Sequence, residues 1–256
     1  MTDFDLRFGG IGRLYSGEGL ERLRLAKVCV VGIGGVGSWA AEALARSAVG
    51  QITLVDLDDI CASNINRQLH ALEGVVGQPK VAAMAERIRA INPSCDVRVV
   101  QEFFNESNAA EILETRFDWV LDAIDPVANK CLLIARCRER GIPVISSGGP
   151  GGRKNPLEIQ IVDLARTTHD ALLQEVRKRL REAHGFPRNP KAPFHVPCVF
   201  SGEAAVYPKE CVTRERLNCD TGYGAASFVT GAFGLAAASH IVSNIAAGCP
   251  HGTHIR

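Results

Sequence analysis

The stretch Lys27-Val28-Cys29-Val30-Val31-Gly32-Ile33-Gly34-Gly35-Val36-Gly37 decides the fold. Its first half is a short β-branched run ending at Gly32 and reads as a strand. The glycine loop follows, and Ser38 to Ala48, rich in Ala and Leu, reads as a helix. Strand, glycine loop and helix in this order are the context of a nucleotide-binding loop. Gly32, Gly34, Gly35 and Gly37 permit the tight turn and let backbone N–H groups approach phosphate. The helix N-terminus adds positive potential for an anion. Asp56 lies 19 residues after Gly37 and ends the next strand, Gln51 to Asp56. An acidic residue there accepts hydrogen bonds from ribose hydroxyls. Taken alone, the pattern fits NAD, FAD or ATP, or a tight turn with no ligand.

Outward from the loop, strand and helix signals alternate. Lys80 to Ile91 reads as a helix stopped by Asn92-Pro93, Asp96 to Val100 as a strand, and Ser107 to Glu114 as a helix. Trp119 to Ala123 reads as a strand, Ala128 to Arg140 as a helix ended by Gly141, and Ile142 to Ser146 as the next strand. This spacing implies βαβ units and a parallel sheet. The expected fold is α/β: a Rossmann-like, doubly wound, mostly parallel sheet with helices on both faces and a C-terminal extension. The turn Gly148-Gly149-Pro150-Gly151-Gly152 marks a change of character. Beyond it, Leu157 to Val162 is a candidate strand, Thr168 to Ala183 a helix, and the proline-rich residues 184–200 a loop. One domain is expected over residues 1–256, with residues 1–150 binding nucleotide.

Composition narrows the functional class. The chain has 256 residues, enough to bury roughly three quarters of its unfolded surface without disulfides. Net charge is +1, which excludes a simple basic nucleic-acid coat but not a local basic face. Nine cysteines, an odd number, leave at least one thiol unpaired. The N-terminus MTDFDLRFGG lacks the layout of a secretory signal, so a reducing, cytoplasmic setting is expected. No C-x-x-C pair occurs, which argues against a structural zinc site. The run from Thr221 to Gly248 contains no charged residue and is long enough to span a bilayer. Its five glycines and eight alanines favour a helix buried in the fold or at a subunit interface over a membrane span.

Charged residues beyond the loop separate the ligand classes. Ser63-Asn64-Ile65-Asn66-Arg67-Gln68 follows Asp56, Lys80 follows Gly77-Gln78-Pro79, and Asp122-Ala123-Ile124-Asp125 ends a strand. A triphosphate carries more negative charge than a dinucleotide pyrophosphate. Arg67 offers a planar fork to phosphate oxygens and Lys80 a point charge. Asp125, at a strand's C-terminal end, is placed to hold Mg2+. The alternatives are solvated surface charges for Arg67 and Lys80, and a helix N-cap for Asp125 just before Pro126.

The ordered set G-x-G-G-V-G, D-L-D-D-x-x-x-S-N-x-N-R-Q, G-Q-P-K and D-A-I-D resembles the adenylyltransferases related to ubiquitin-activating enzymes, over about residues 7–150. The resemblance implies that Asp56 holds the ribose and that Asn64, Arg67, Gln68 and Lys80 surround the triphosphate of ATP. Asp58 and Asp122 complete the nucleotide site, and Asp125 holds magnesium. By the same resemblance Arg13, in RFGGIGRLY, reaches across a homodimer into the partner's site. The shared chemistry is adenylation of a carboxylate, with Arg67, Lys80 and Asp125 as its catalytic residues. Positioning and charge neutralisation supply the rate.

The second half decides which carboxylate is activated. Sulfur-carrier activators in this superfamily usually bind zinc through two C-x-x-C pairs, which are missing here. The stretches Ser146 to Leu164, Pro197 to Pro208 and Asn218 to His240 instead resemble the bacterial tRNA threonylcarbamoyladenosine dehydratases. That resemblance implies ATP-dependent activation of the threonyl carboxylate beside the tRNA anticodon, then intramolecular ring closure. Residues 151–256 are then the tRNA-binding and dimer-interface part. Arg177, Lys178, Arg179, Arg181, Arg188 and Lys191 face one acid, Glu182, between residues 177 and 191. This segment suits an RNA backbone or is a solvated helix face, and Phe186 and Phe194 are its candidate stacking aromatics or else core residues.

Cys198 reads as a transfer thiol or as a buried, inert one. His195 and His240 are open between functional and structural roles. The Gly148–Gly152 turn offers carbonyls to an alkali ion (Na+ or K+), backbone N–H groups to an anion, or only a connection. Two other functions are weighed. One is an activator of the C-terminal glycine of a ubiquitin-like sulfur carrier, with a sulfur-transfer or cysteine-desulfurase-system protein as partner. The other is a non-catalytic nucleotide sensor, against which Arg67, Lys80 and Asp125 together speak.

Overall fold

A computed structural model of the protein describes residues 2–206 and 223–248. Cys211, Cys219 and Cys249 and the first residues of the Asn218 stretch lie outside the described residues. Seven strands, β1 (Lys27–Val31), β2 (Gln51–Val55), β3 (Asp96–Val100), β4 (Trp119–Asp122), β5 (Val144–Ser147), β6 (Ile159–Asp163) and β7 (Pro197–Ser201), form one sheet. Their order is β3-β2-β1-β4-β5-β7-β6. Neighbours are parallel except β6 and β7, which pair antiparallel. The chain winds outward from β1 to β3, then returns to β4 on the other side of β1. Such a reversal opens a crevice beyond the C-terminal ends of β1 and β4, and ligands of open α/β sheets bind there. The glycine loop starts at that crevice.

Side chains alternate along each strand, and both faces are covered. Val28 and Val30 join Ile52, Leu54, Trp119, Leu121, Ile145 and Val199 in one buried cluster. Cys29 and Val31 join Val55, Val120, Val144, Cys198 and Phe200 in the other. The helices are α1 (Asp3–Leu25), α2 (Gly37–Arg46), α3 (Lys80–Ile91), α4 (Ala109–Ile112), α5 (Val127–Glu139), α6 (Ala171–Ala183) and α7 (Ser227–Ala246). Helices α2, α3 and α7 cover the first face through Leu44, Met84 and Phe233. Helices α4, α5 and α6 cover the second through Ile112, Leu133 and Val176. The expected doubly wound arrangement is therefore present.

Three local expectations need correction. Residues 184–200 are not all loop, because Pro197 opens β7, which inserts between β5 and β6. Proline is tolerated as a strand's first residue, so the proline-rich approach hid the strand. The helix expected over 107–114 shrinks to the single turn of α4. The helix expected from Thr168 starts at Ala171, because Asp170 caps it by accepting from the Leu173 N–H at 2.9 Å. The sequence reading also missed α1, whose Gly9, Gly10, Gly12, Gly17 and Gly19 obscure the helical signal. Its Thr2/Asp5 capping box starts it, and it kinks at Ser16 (φ 72°).

Most of the uncharged run forms α7. By length and composition α7 passes for a membrane span, but 56% of its most apolar window is buried in the fold. It packs against α2 and α1, with Arg22 donating to the Ala246 carbonyl at 2.6 Å.

Candidate active site

The glycine loop divides its glycines between two tasks. Gly32 has φ +92°, and a Cβ there would lie 2.5 Å from the Ala123 carbonyl oxygen. A Cβ on Gly37 would lie 1.8 Å from the Gly32 oxygen. These two let the turn form and α2 pack against it. Gly34 and Gly35 are less confined: a Cβ on Gly34 would lie 3.9 Å from Gln68 Nε2, and one on Gly35 3.2 Å from Thr230 Cγ2 and 3.6 Å from Arg67 Cγ. The N–H groups of Gly34, Gly35 and Val36 donate to no acceptor among the described residues. They sit at the N-terminus of α2, so the loop fits phosphate. Asp56 braces it, with Oδ2 accepting from Ile33 N–H at 2.6 Å and Oδ1 from Asp58 N–H at 2.9 Å. Burial pushes the Asp56 carboxyl above its ordinary value, against the pull of those two N–H groups and Lys80.

The segment after β2 folds over the loop. Arg67 donates to Ser63 O at 2.7 Å and Asn66 Oδ1 at 2.9 Å, so its guanidinium lies on its own turn beside Gly35. Its carbonyl accepts from Trp39 Nε1 at 3.0 Å and Thr230 Oγ1 at 3.2 Å, which ties the turn to α2 and α7. Gln68 is buried, and its Oε1 has no partner among the described residues. Asn64 is buried as well, but its side chain accepts from Cys61 N–H at 3.1 Å and thereby shapes the turn. Lys80, the first residue of α3, bonds Asp58 Oδ2 at 2.6 Å, and its N–H donates to Asp58 O at 3.0 Å. His70 is buried close by, with both ring nitrogens unpartnered among the described residues. Burial first, and then the Lys80 charge, push its pKa down to about 4.

The two aspartates at the end of β4 behave differently. Asp122 is fully buried: Oδ2 meets Lys130 Nζ at 3.0 Å and Ser146 Oγ at 2.7 Å, and Oδ1 accepts from Ile124 N–H at 3.2 Å. Burial raises its carboxyl above the ordinary range, with Lys130 opposing. Asp122 therefore supports the site from behind, through a fully buried lysine that also donates to Ile124 O at 3.0 Å. Asp125 is exposed and has no hydrogen bond or ion pair among the described residues. The N-cap of α5 is Pro126, without a side-chain cap bond, so Asp125 does not cap the helix. No cluster of three His, Cys, Asp or Glu side chains is poised for a metal among the described residues. One free carboxylate matches magnesium, which takes one or two carboxylates together with phosphates and water.

Other candidates lie elsewhere. Arg13 is exposed on α1, which packs on α7 and touches the end of α3 through Arg7. Phe186 and Phe194 are buried against each other at 5.0 Å and carry Arg138 and Arg181 over their rings, so they are core. Of the basic segment, Arg177 bonds Thr167 and Arg181 donates to Pro187 O at 3.2 Å, while Lys178, Arg179, Arg188 and Lys191 are exposed. Cys198 is fully buried and burial pushes its thiol up, which fits the inert reading. His240 stacks edge-on against Trp119 at 5.3 Å, and His195 is exposed. Sequence reasoning missed Lys130, Trp39, Thr230, His70 and Arg153. Burial reveals Lys130, Thr230, His70 and Arg153, and the bond to Arg67 O reveals Trp39; charge or size in the sequence reports neither.

Similarity to known proteins agrees with this geometry. The ThiF family profile matches residues 11–253. A tRNA threonylcarbamoyladenosine dehydratase of Haemophilus influenzae is 46% identical over 96% of this chain and 95% of its own length. Crystal structures of the Escherichia coli tRNA N6-threonylcarbamoyladenosine dehydratase, one in complex with AMP and one with ATP, have TM-score 0.89 at 47% identity. Each covers 96% of this chain and 97% of the solved chain. The Escherichia coli molybdopterin-synthase adenylyltransferase is 35% identical, but over only 50% of this chain and 51% of its own. The chain thus belongs to the ThiF family and, within it, to the tRNA threonylcarbamoyladenosine dehydratases.

Proposed function

We propose that the protein is an ATP-dependent tRNA threonylcarbamoyladenosine dehydratase. One observation carries the reading. The free N–H groups of Gly34, Gly35 and Val36, the Arg67 turn and the Lys80–Asp58 pair meet at one crevice, in a chain 47% identical to an ATP-bound dehydratase. The threonyl carboxylate attacks the α-phosphorus of ATP, and the bond to pyrophosphate breaks. The ureido group then attacks the activated carbonyl carbon and AMP leaves, so the nucleoside loses one water overall. A carboxylate nucleophile needs no general base. The loop amides, Arg67 and Lys80 neutralise charge developing on the phosphates, and Asp56 orients the ribose. Asp125 would hold magnesium, which supplies further charge neutralisation. Asp58 and Asp122 act indirectly, the first on Lys80 and the second on the turn leading to Asp125. Gln68 Nε2, beside Gly34, is the amide group that would donate to phosphate.

In this reading residues 1–150 bind nucleotide and residues 151–256 receive tRNA and the second subunit. Lys178, Arg179, Arg188 and Lys191 are the cations left free for an RNA backbone. A homodimer gives Arg13 a partner's site to enter, and exposed Phe228 (59%) and Leu235 (50%) on α7 offer it apolar surface. A sulfur-transfer partner would address Cys61, the exposed thiol among the described cysteines. An alkali ion at the Gly148–Gly152 turn would compete with Arg153 for the Gly149 and Gly151 carbonyls. The free thiols suit action in the cytoplasm.

The test is incubation with ATP, magnesium and tRNA bearing threonylcarbamoyladenosine, followed by nucleoside mass analysis under mild conditions. A product lighter by one water is expected, and its absence sinks the reading. ATP–pyrophosphate exchange that depends on a Gly-Gly-ended carrier protein would instead favour the sulfur-carrier alternative.

A further inference from the structure

The half of the chain beyond β5 contains a buried cation that the nucleotide site does not use. Arg153 follows the Gly148–Gly152 turn directly and is 4% exposed. Its guanidinium donates to Gly149 O, to Gly151 O at 3.5 Å, to His169 O at 2.9 Å and to Glu203 O at 3.2 Å. It also lies 3.5 Å from Asp170 Oδ2. That carboxylate caps α6 and accepts from Gly149 N–H at 2.9 Å. One side chain thereby fastens three segments: the turn after β5, the start of α6 and the stretch after β7. The next contacts continue the pattern, since Gly152 donates to Gly224 O at 2.7 Å and accepts from Val206 N–H at 2.8 Å.

Burying a guanidinium is costly unless its donors are filled and its charge is matched. Arg153 meets both conditions, and it does so at the C-terminal edge of β5. There β5 pairs with β4, the strand leading to Asp125. In the dehydratase reading nucleotide sits at the ends of β1, β2 and β4, which leaves the neighbouring β5 and β7 side of β4 for the carboxylate that attacks it. Tyr223 and Val206 lie against Gly151 and Gly152, but Gly149 leaves room: a Cβ there would meet nothing within 4 Å among the described residues.

We propose that Arg153 is a positioning residue for the nucleoside substrate. It holds the Gly148–Gly152 turn as the wall against which the threonyl carboxylate is presented to ATP. This rests on the dehydratase reading above. The fork geometry is the essential feature, since a lysine is a point charge with three donors and cannot serve the four carbonyls that Arg153 reaches.

The experiment compares full-length wild type, Arg153→Ala and Arg153→Lys. It measures ATP affinity by calorimetry and kcat and KM with tRNA bearing threonylcarbamoyladenosine, with and without added methylguanidine. ATP affinity should stay within about twofold. The tRNA-dependent kcat/KM should fall by roughly tenfold to hundredfold, the scale on which misplaced reactants lose rate. Methylguanidine should restore part of the Arg153→Ala loss. If Arg153→Ala does not fold, Arg153→Lys carries the same expectation without the rescue arm. Undiminished turnover in the folded variant overturns the assignment, and so does a parallel loss of ATP affinity and turnover. An inactive wild type overturns the dehydratase reading itself, a separate outcome.

Discussion

Two glycine-rich turns leave the same edge of the sheet, and they are wired in opposite ways. In Gly32–Gly37 the amides of Gly34, Gly35 and Val36 are unengaged among the described residues and stand over a helix N-terminus. In Gly148–Gly152 the Gly149 N–H is taken by Asp170, and the Gly149 and Gly151 carbonyls are taken by Arg153. Glycine content brings the backbone close to something in both. The account of donors and acceptors decides whether that partner is a ligand or the protein itself. The first turn is open to an anion, and the second is closed around an internal cation.

The largest expected effect breaks the first turn. Gly37→Ala puts a methyl group 1.8 Å from a backbone oxygen that cannot rotate away. Its cost should reach or exceed the ~1–3 kcal/mol usual for overpacking, read as a drop in the urea midpoint. A variant as stable as wild type would mean that the loop and α2 are not packed as described.

Next come the cations at the open turn. Lys80→Ala and Arg67→Ala should each lower kcat/KM by about 2–4 kcal/mol, the range for a single charge-stabilising donor. Asp125→Ala should abolish turnover, yet leave the melting temperature unchanged, because the exposed carboxylate supports no contact among the described residues. Wild-type turnover in Asp125→Ala refutes its assignment to magnesium.

A smaller effect separates the regions by pH. His70 lies by the open turn, with a folded pKa near 4 against 6.5 for the free side chain. The unfolded chain binds the extra proton between these values, so stability should fall by up to about 3 kcal/mol as pH drops from 6.5 towards 4. Asp56 acts with the opposite sign: its folded pKa is raised, so its protonation favours the folded state as pH falls. His70→Leu should flatten the slope in urea titrations across that window. An unchanged slope would place the acid sensitivity elsewhere.

The open turn was legible in the sequence and the closed one was not, for physical reasons. Period and punctuation are local: Pro79 and Asn92-Pro93 bracket α3, whose observed bounds are Lys80–Ile91 as expected. The motif spacing likewise singled out Asp56, Arg67 and Lys80: Asp56 braces the glycine loop, Arg67 lies beside Gly35, and Lys80 pairs with Asp58, whose N–H Asp56 accepts. Burial of charge is not local. Lys130 sits in a helix with several other charges, and nothing in its spacing marks it, yet it is fully buried against Asp122. Nothing in the sequence singles out Arg153, because its contacts reach segments up to 50 residues away. The place of β7 between β5 and β6 is equally a long-range outcome. Phe186 and Phe194 are open between RNA stacking and core in the sequence, and their packing on each other, with Arg138 and Arg181 over their rings, settles them as core.

The smallest expected effect probes the closed turn directly. Gly149 lies outside the left-handed region, and a Cβ on it meets nothing within 4 Å. Gly149→Ala keeps the N–H bonded to Asp170 and the carbonyl bonded to Arg153, since both are backbone groups. Its stability should therefore match wild type or rise by about 0.4–1 kcal/mol, through loss of unfolded-chain entropy. Substantial destabilisation would mean that the turn's conformation is not the one described. Kinetics sharpen the contrast further, because the added methyl enters space that the proposed role of Arg153 assigns to the carboxylate substrate. A lower tRNA-dependent kcat/KM with unchanged ATP affinity and undiminished stability would show that the closed turn, although wired internally, faces substrate. The same methyl placed at Gly37 would damage the fold before any kinetic effect was measurable.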